Sequence, residues 1–147
     1  PAPEGLIVCD GGLRQLARVS VFERAESSTR QEELRAELLD ATAPLGRRRH
    51  VRRARAVLTH ANGFSQSPGQ SRVRWLGLSA GLPEPMVQWE VHCDGHQYFT
   101  DLAWLNVAGE TVTAEFDGAI KYDSGSDAVI AEKVREDRIR ATGTSVV

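Results

Sequence analysis

Asp94-Gly95 lies between two runs that alternate apolar and polar residues, and this junction constrains the fold more than any other feature of the chain. Before it, Val87, Trp89 and Val91 alternate with Gln88, Glu90 and His92. After it, Tyr98, Thr100, Leu102 and Trp104 alternate with Phe99, Asp101 and Ala103. A period of two means strands with two unlike faces, and Asp-Gly supplies the left-handed backbone of a two-residue hairpin turn. The expectation is an antiparallel hairpin, continued by a turn over 106–109 into a third strand, Thr111 to Asp117. On that strand Thr113, Glu115 and Asp117 share one face, with Val112, Ala114 and Phe116 on the other. Residues 118–125 read as a loop.

Helices flank this meander. Ser67 can cap a helix whose first position suits Pro68, Gln70 can complete a capping box, and Gly81 with Pro83 stops it near Ala80. Val73, Leu76 and Ala80 form its expected buried side. Ser126 or Asp127 opens a last helix from Ala128 to Thr142, with Ile130, Val134 and Ala141 at helical spacing, and Gly143 ends it. Thr144 to Val147 reads as a fourth strand that the chain end truncates, and together with an opening at Pro1 this suggests part of a longer protein. The order is helix, three strands, helix, strand.

The first 64 residues read as a helical segment, with a boundary at Asn62-Gly63 and the second domain spanning 65–147. Glu4 to Arg18 carries Leu6, Cys9, Leu13, Leu16 and Ala17 at helical spacing, weakened by Asp10-Gly11-Gly12. Ser27-Ser28-Thr29 followed by Gln31, Glu32 and Glu33 marks a second helix with a stripe of Leu34, Leu38 and Ala41. Six arginines then fall within the nine residues 47–55. On a helix, Val51, Ala54, Leu58 and Ala61 would face inward and Arg48, Arg52 and Arg55 would line another side, a stripe that can hold nucleic-acid phosphates. The alternative is a solvated face that offsets the acidic helix before it.

Composition sets the outer limits. With 147 residues, 41% hydrophobic and 26% charged, the chain can build a core, and a net charge of −2 provides no overall attraction to nucleic acid. No apolar run approaches the roughly 20 residues that span a bilayer, and no secretion signal is visible, so a cytoplasmic protein without membrane association is expected. Cys9 and Cys93 lack zinc spacing and read as reduced thiols. Trp75, Trp89 and Trp104 read as core, His92 and His96 as exposed flanks of the turn, and Glu132, Lys133, Arg135, Glu136 and Asp137 as a solvated helix face.

The chemistry concentrates on the second and third strands. If these pair across the 105–110 turn, Asp101 sits nearly opposite Glu115, and the parity of each strand allows both to point to one face with Asp117. Carboxylates so close repel unless a cation joins them, and Mg²⁺ is the hard ion that takes one or two carboxylates together with phosphate oxygens. Lys121 lies where it could meet a scissile phosphate or orient water. The matching reaction is metal-assisted phosphodiester hydrolysis. A solvated charged face is the alternative.

The succession Ser67-Pro-Gly-Gln-Ser71-Arg, Ala80-Gly-Leu-Pro83, Thr100-Asp-Leu-Ala-Trp104, Ala114-Glu-Phe-Asp-Gly118, Lys121-Tyr122 and Glu132-Lys-Val-Arg-Glu-Asp137 resembles the PD-(D/E)XK endonuclease-like domain related to very-short-patch repair endonucleases. Such domains often lie C-terminal in AbiEi-type antitoxins. The resemblance spans roughly 65–147. It implies an α/β fold with a restriction-endonuclease-like αβββαβ core behind the helical segment, with DNA as the partner. It further implies Asp101 and Glu115 as Mg²⁺ ligands and Asp117 as the variant third residue of the Glu-x-Lys motif. Two departures accompany it: Gln70 stands where the family helix often offers Glu, and Asp117 stands at the lysine, leaving Lys121 or Lys133 to replace it. The implied alternatives are therefore a metal-dependent endodeoxyribonuclease and a catalytically silent module that binds DNA, a second copy or a toxin partner.

Overall fold

The structure is a computed structural model that describes residues 3–107, 109–116 and 126–147, with the side chains of 126–132 excepted. The chain is a mixed α/β protein in which α1 to α4 precede the strands and α5 lies between the last two: α1 (Pro3–Leu16), α2 (Arg24–Ala41), α3 (Arg49–His60), α4 (Pro68–Ser79), β1 (Met86–Cys93), β2 (His96–Val107), β3 (Glu110–Ala114), α5 (Ser126–Ala141) and β4 (Thr144–Val146). From α4 onward the order is αβββαβ, as the punctuation and periodicity imply. The chain divides into two compact units, Pro1–Leu76 and Gly77–Val147.

In the N-terminal unit, Leu6, Leu13, Ala17, Val19, Val51, Val57, Ala61 and Phe64 form the apolar core. Its polar interior departs from the apolar periodicity. Asp10, which seemed to weaken α1, is 1% exposed, and Arg74 of α4 is 0% exposed. Arg74 Nη2 donates to both Asp10 carboxylate oxygens at 2.7 Å. Ser71 Oγ donates to Oδ2 at 2.7 Å and the Asn62 amide to Oδ1 at 2.8 Å. Arg74 also reaches the His60 carbonyl, Arg35 Nη1 donates to the Ala61 carbonyl at 2.8 Å, and the Gly63 amide donates to Gln31 Oε1 at 2.8 Å. The backbone of 60–63, which cannot pair with itself at a helix end, is thus satisfied by side chains from α1, α2 and α4. A Cβ on Gly63 would come within 2.8 Å of Val19 Cγ2 and 3.0 Å of the Arg14 amide nitrogen, so the segment admits only glycine there without displacement.

This network explains several departures from expectation. Residues 68–76, most of α4, belong with the first unit, which runs to Leu76. The buried side of α4 is Gly69, Gln70, Ser71 and Arg74, whereas Leu76 is 65% exposed and Val73 half-buried. In α1, Leu16 faces solvent. Helix α2 starts at Arg24, ahead of the serine cluster, and Ser27 is buried inside it, its hydroxyl accepting from the Ser20 amide at 3.0 Å. The cap of α4 does form: Ser67 Oγ accepts from the Gln70 amide at 3.2 Å. Gln70 Oε1 accepts from the Gln66 amide at 2.5 Å, one residue before the position a capping box requires.

In the C-terminal unit the sheet order is β1-β2-β3-β4, antiparallel except for the parallel β3–β4 pair. Asp94 and Gly95 have φ of 51° and 74°, as the hairpin requires, and Asn106 and Gly109 turn the chain again at 59° and 92°. Parallel β4 needs a crossover, which α5 supplies. Val87, Val91, Thr100 and Leu102 are buried in the sheet, and Ile139 of α5 is 1% exposed. Val134, expected to face inward, is 43% exposed. Among the described residues, no helix is long and apolar enough to cross a membrane.

Candidate functional site

The β1–β2 register pairs Val87 with Leu102 and Trp89 with Thr100, which sets Gln88 across from Asp101. The β2–β3 register runs through Ala103↔Thr113 and Leu102↔Ala114, and its next step sets Asp101 across from Glu115. Glu115 lies just beyond the assigned end of β3, and its amide still donates to the Val147 carbonyl next to β4 at 3.2 Å. The third strand is therefore shorter than its alternation suggests. Gln88, Asp101 and Glu115 make one row across three strands.

Each member of the row is held. Asp101 Oδ2 accepts from the Phe116 amide at 2.8 Å, and Oδ1 accepts from Gln88 Nε2 at 3.2 Å. Gln88 is buried and has φ of 52°, a conformation that costs a non-glycine residue about 1–2 kcal/mol. Glu115 Oε1 lies 3.0 Å from Arg135 Nη2, and the same nitrogen donates to the Phe99 carbonyl at 2.7 Å. With side chains 18% and 22% exposed, Glu115 and Arg135 are a largely desolvated pair.

Periodicity thus located Asp101 and Glu115 but missed their neighbours. Arg135 was assigned to a solvated helix face, and what draws it inward is the sheet carboxylate, which one-dimensional spacing does not reveal. Its neighbourhood does contain a surface pair of the expected kind, Glu136–Arg140 at 2.7 Å. Gln88 looked like an ordinary outward residue of alternating β1. Asp117 and Lys121 lie outside the described residues. Lys133 is exposed. His92 is exposed and pairs with Glu90 at 2.6 Å, and Trp104 Nε1 donates to the Pro83 carbonyl at 2.8 Å while its ring is half-buried.

Asp101 and Glu115 offer hard oxygen donors at adjoining positions, the type that Mg²⁺ accepts. Among the described residues no group of three or more His, Cys, Asp or Glu converges as a metal cluster. One or two carboxylates are what an ion that keeps several waters takes from a protein, and Arg135 already supplies positive charge to one of these two.

In the N-terminal unit, α3 buries Val51 and Val57 and holds Leu58 half-buried, while Ala54, expected inside, is exposed. Arg47, Arg48, Arg49, Arg52 and Arg53 are exposed. Arg55 is half-buried and its Nε donates to Thr42 Oγ1 at 2.6 Å, which takes it out of the expected Arg48–Arg52–Arg55 stripe. Cys9 and Cys93 are free thiols. Partial burial, then the neighbouring Asp10 or Asp94 respectively, raises the pKa of each.

An uncharacterized protein of Mycobacterium tuberculosis, found in strains CDC 1551 / Oshkosh and H37Rv, is 27% identical to this chain over 136 residues, covering 91% of it and 49% of the relative. The chain spans about half the length of the curated relatives it matches. No protein-family model and no solved structure matches the chain.

Proposed function

We propose that the C-terminal unit is a nuclease-type domain of a cytoplasmic protein that acts on the phosphodiester backbone of DNA, with Asp101 and Glu115 as its acidic centre. The observation that carries this reading is the adjacency of the two carboxylates on β2 and β3 within an αβββαβ order whose last strand runs parallel to the third. Asp101 and Glu115 would hold Mg²⁺, which when bound supplies Lewis-acid polarisation of a phosphate oxygen and charge neutralisation. Gln88 and the Phe116 amide orient Asp101, so the carboxylate is aimed before any ligand arrives.

A second reading, a silent module of a toxin–antitoxin or defence protein that binds DNA, a second copy or a toxin partner, is favoured by one contact. The Arg135 guanidinium, held against Glu115 and the Phe99 carbonyl, provides the neutralisation that a cation otherwise would. Gln70 has a structural role in the loop before α4, so it lends the centre no third acid.

The two readings separate in one experiment. Supercoiled plasmid is incubated with Mg²⁺ or Mn²⁺ and the wild type, Asp101→Asn, Glu115→Gln or Arg135→Gln. Nicking by the wild type that falls at least about tenfold in both carboxylate variants supports the hydrolase, since even an outer-shell partner of a metal ligand costs about 10–100-fold when lost. Binding of plasmid without cleavage by any variant identifies the silent module. Cleavage that survives both carboxylate substitutions sinks the proposed centre.

A further inference from the structure

Five arginines of the N-terminal unit form no ion pair with any described residue. Arg47, Arg48, Arg49, Arg52 and Arg53 are all exposed, and among the described residues none has an acidic partner. The preceding acidic helix forms no ion pair with them. The ion pairs formed by α2 acids or their flank use arginines of α2 itself: Glu32 pairs with Arg35, and Glu23 with Arg30 at 3.5 Å. No direct ion pair thus ties this face to α2.

Placement aggravates the charge. Arg49, Arg52 and Arg53 stand at i, i+3 and i+4 on one side of α3, where like charges repel, and Arg49, Arg52, Arg53 and Ala56 line one shallow depression. They occupy the first turns of a helix with no acid in its first turn, at the positive end of its dipole. Neutral residues would make a more stable helix here. The cluster is also purely guanidinium, whose planar fork takes two phosphate oxygens at once, and Arg55 is excluded from it by its bond to Thr42.

We propose that Arg49, Arg52 and Arg53, flanked by Arg47 and Arg48, form a phosphate-backbone site for duplex DNA on the N-terminal unit, separate from the acidic row of the sheet. The inference rests on the reading that this protein works on DNA, and it changes the residue set: Arg49 and Arg53 enter, Arg55 leaves. A site that neutralises phosphates releases their counterions, so affinity falls steeply with salt and little with sequence.

Anisotropy of a short labelled duplex, titrated with the full chain between about 50 and 200 mM salt, tests it. Wild type is compared with Arg49→Gln/Arg52→Gln/Arg53→Gln, with Arg55→Gln and with Asp101→Asn/Glu115→Gln, all checked for helicity by circular dichroism. If the triple variant misfolds, Arg52→Gln/Arg53→Gln replaces it. The expected result is at least about a tenfold loss for the triple variant, a salt slope shallower by about 3, and wild-type affinity for Arg55→Gln. Wild-type affinity and slope in the triple variant overturn the site; if the carboxylate variant alone then changes binding, the DNA reading survives without it. No binding of duplex by any protein overturns both. Displacement of the duplex by poly-glutamate at equal charge overturns the assignment of a nucleic-acid partner in favour of an acidic protein.

Discussion

At the scale of single residues, the chain is governed by charges that have left water. Asp10 and Arg74 are both essentially unexposed, and each is tolerable only because the other is present, with Ser71, the Asn62 amide and the His60 carbonyl bonded to the pair. Asp10→Ala should therefore destabilise the protein by about 3–5 kcal/mol in urea unfolding, because it leaves a buried guanidinium uncompensated. The double replacement Asp10→Leu/Arg74→Met should recover much of that loss, and a double variant no better than the single one would show that the hydrogen bonds to the 60–63 backbone matter more than the pair. The cysteines give a pH prediction. Both thiol pKa values are raised, so less thiolate is present at a given pH than in an unfolded chain. Alkylation by iodoacetamide at pH 7.5 should be slower in the native protein than in urea and accelerate as pH climbs through the raised values. The same sign makes the neutral thiols' contribution to stability present below the unfolded pKa of about 8.5 and lost as pH rises through the folded one.

At the scale of elements, local signals succeeded where they specify a backbone and failed where they specify a face. Asp94-Gly95 demanded two left-handed residues in succession and has them, and Ser67 demanded an amide to cap and holds that of Gln70. Ser67→Ala should accordingly cost about 1 kcal/mol, read as a lower urea midpoint at unchanged slope. The faces of α1 and α4 were misjudged because periodicity counts apolar residues, and these helices bury Asp10, Ser71 and Arg74 beside Leu6 and Leu13. A polar side chain goes inside when its partner does, and the partner lies more than 60 residues away in the chain. For the same reason α2 buries Ser27 and Gln31, which a cap-and-stripe reading assigns to its surface.

At the scale of the whole molecule, the sequence by itself determined the helical first part, the α/β class and the αβββαβ succession, since turns, caps and the periods of two and 3.6 residues act within a few positions of one another. It also placed Asp101 and Glu115 together, because antiparallel pairing through a short turn converts chain distance into register. Tertiary structure alone decided where the two units divide, which arginines have no acidic partner among the described residues, and which side chains accompany the two carboxylates. Arg135 joins Glu115 from a helix after β3, and Gln88 joins Asp101 from the strand before. Those meetings depend on desolvation and charge pairing between distant segments, energies that no local window of the chain contains.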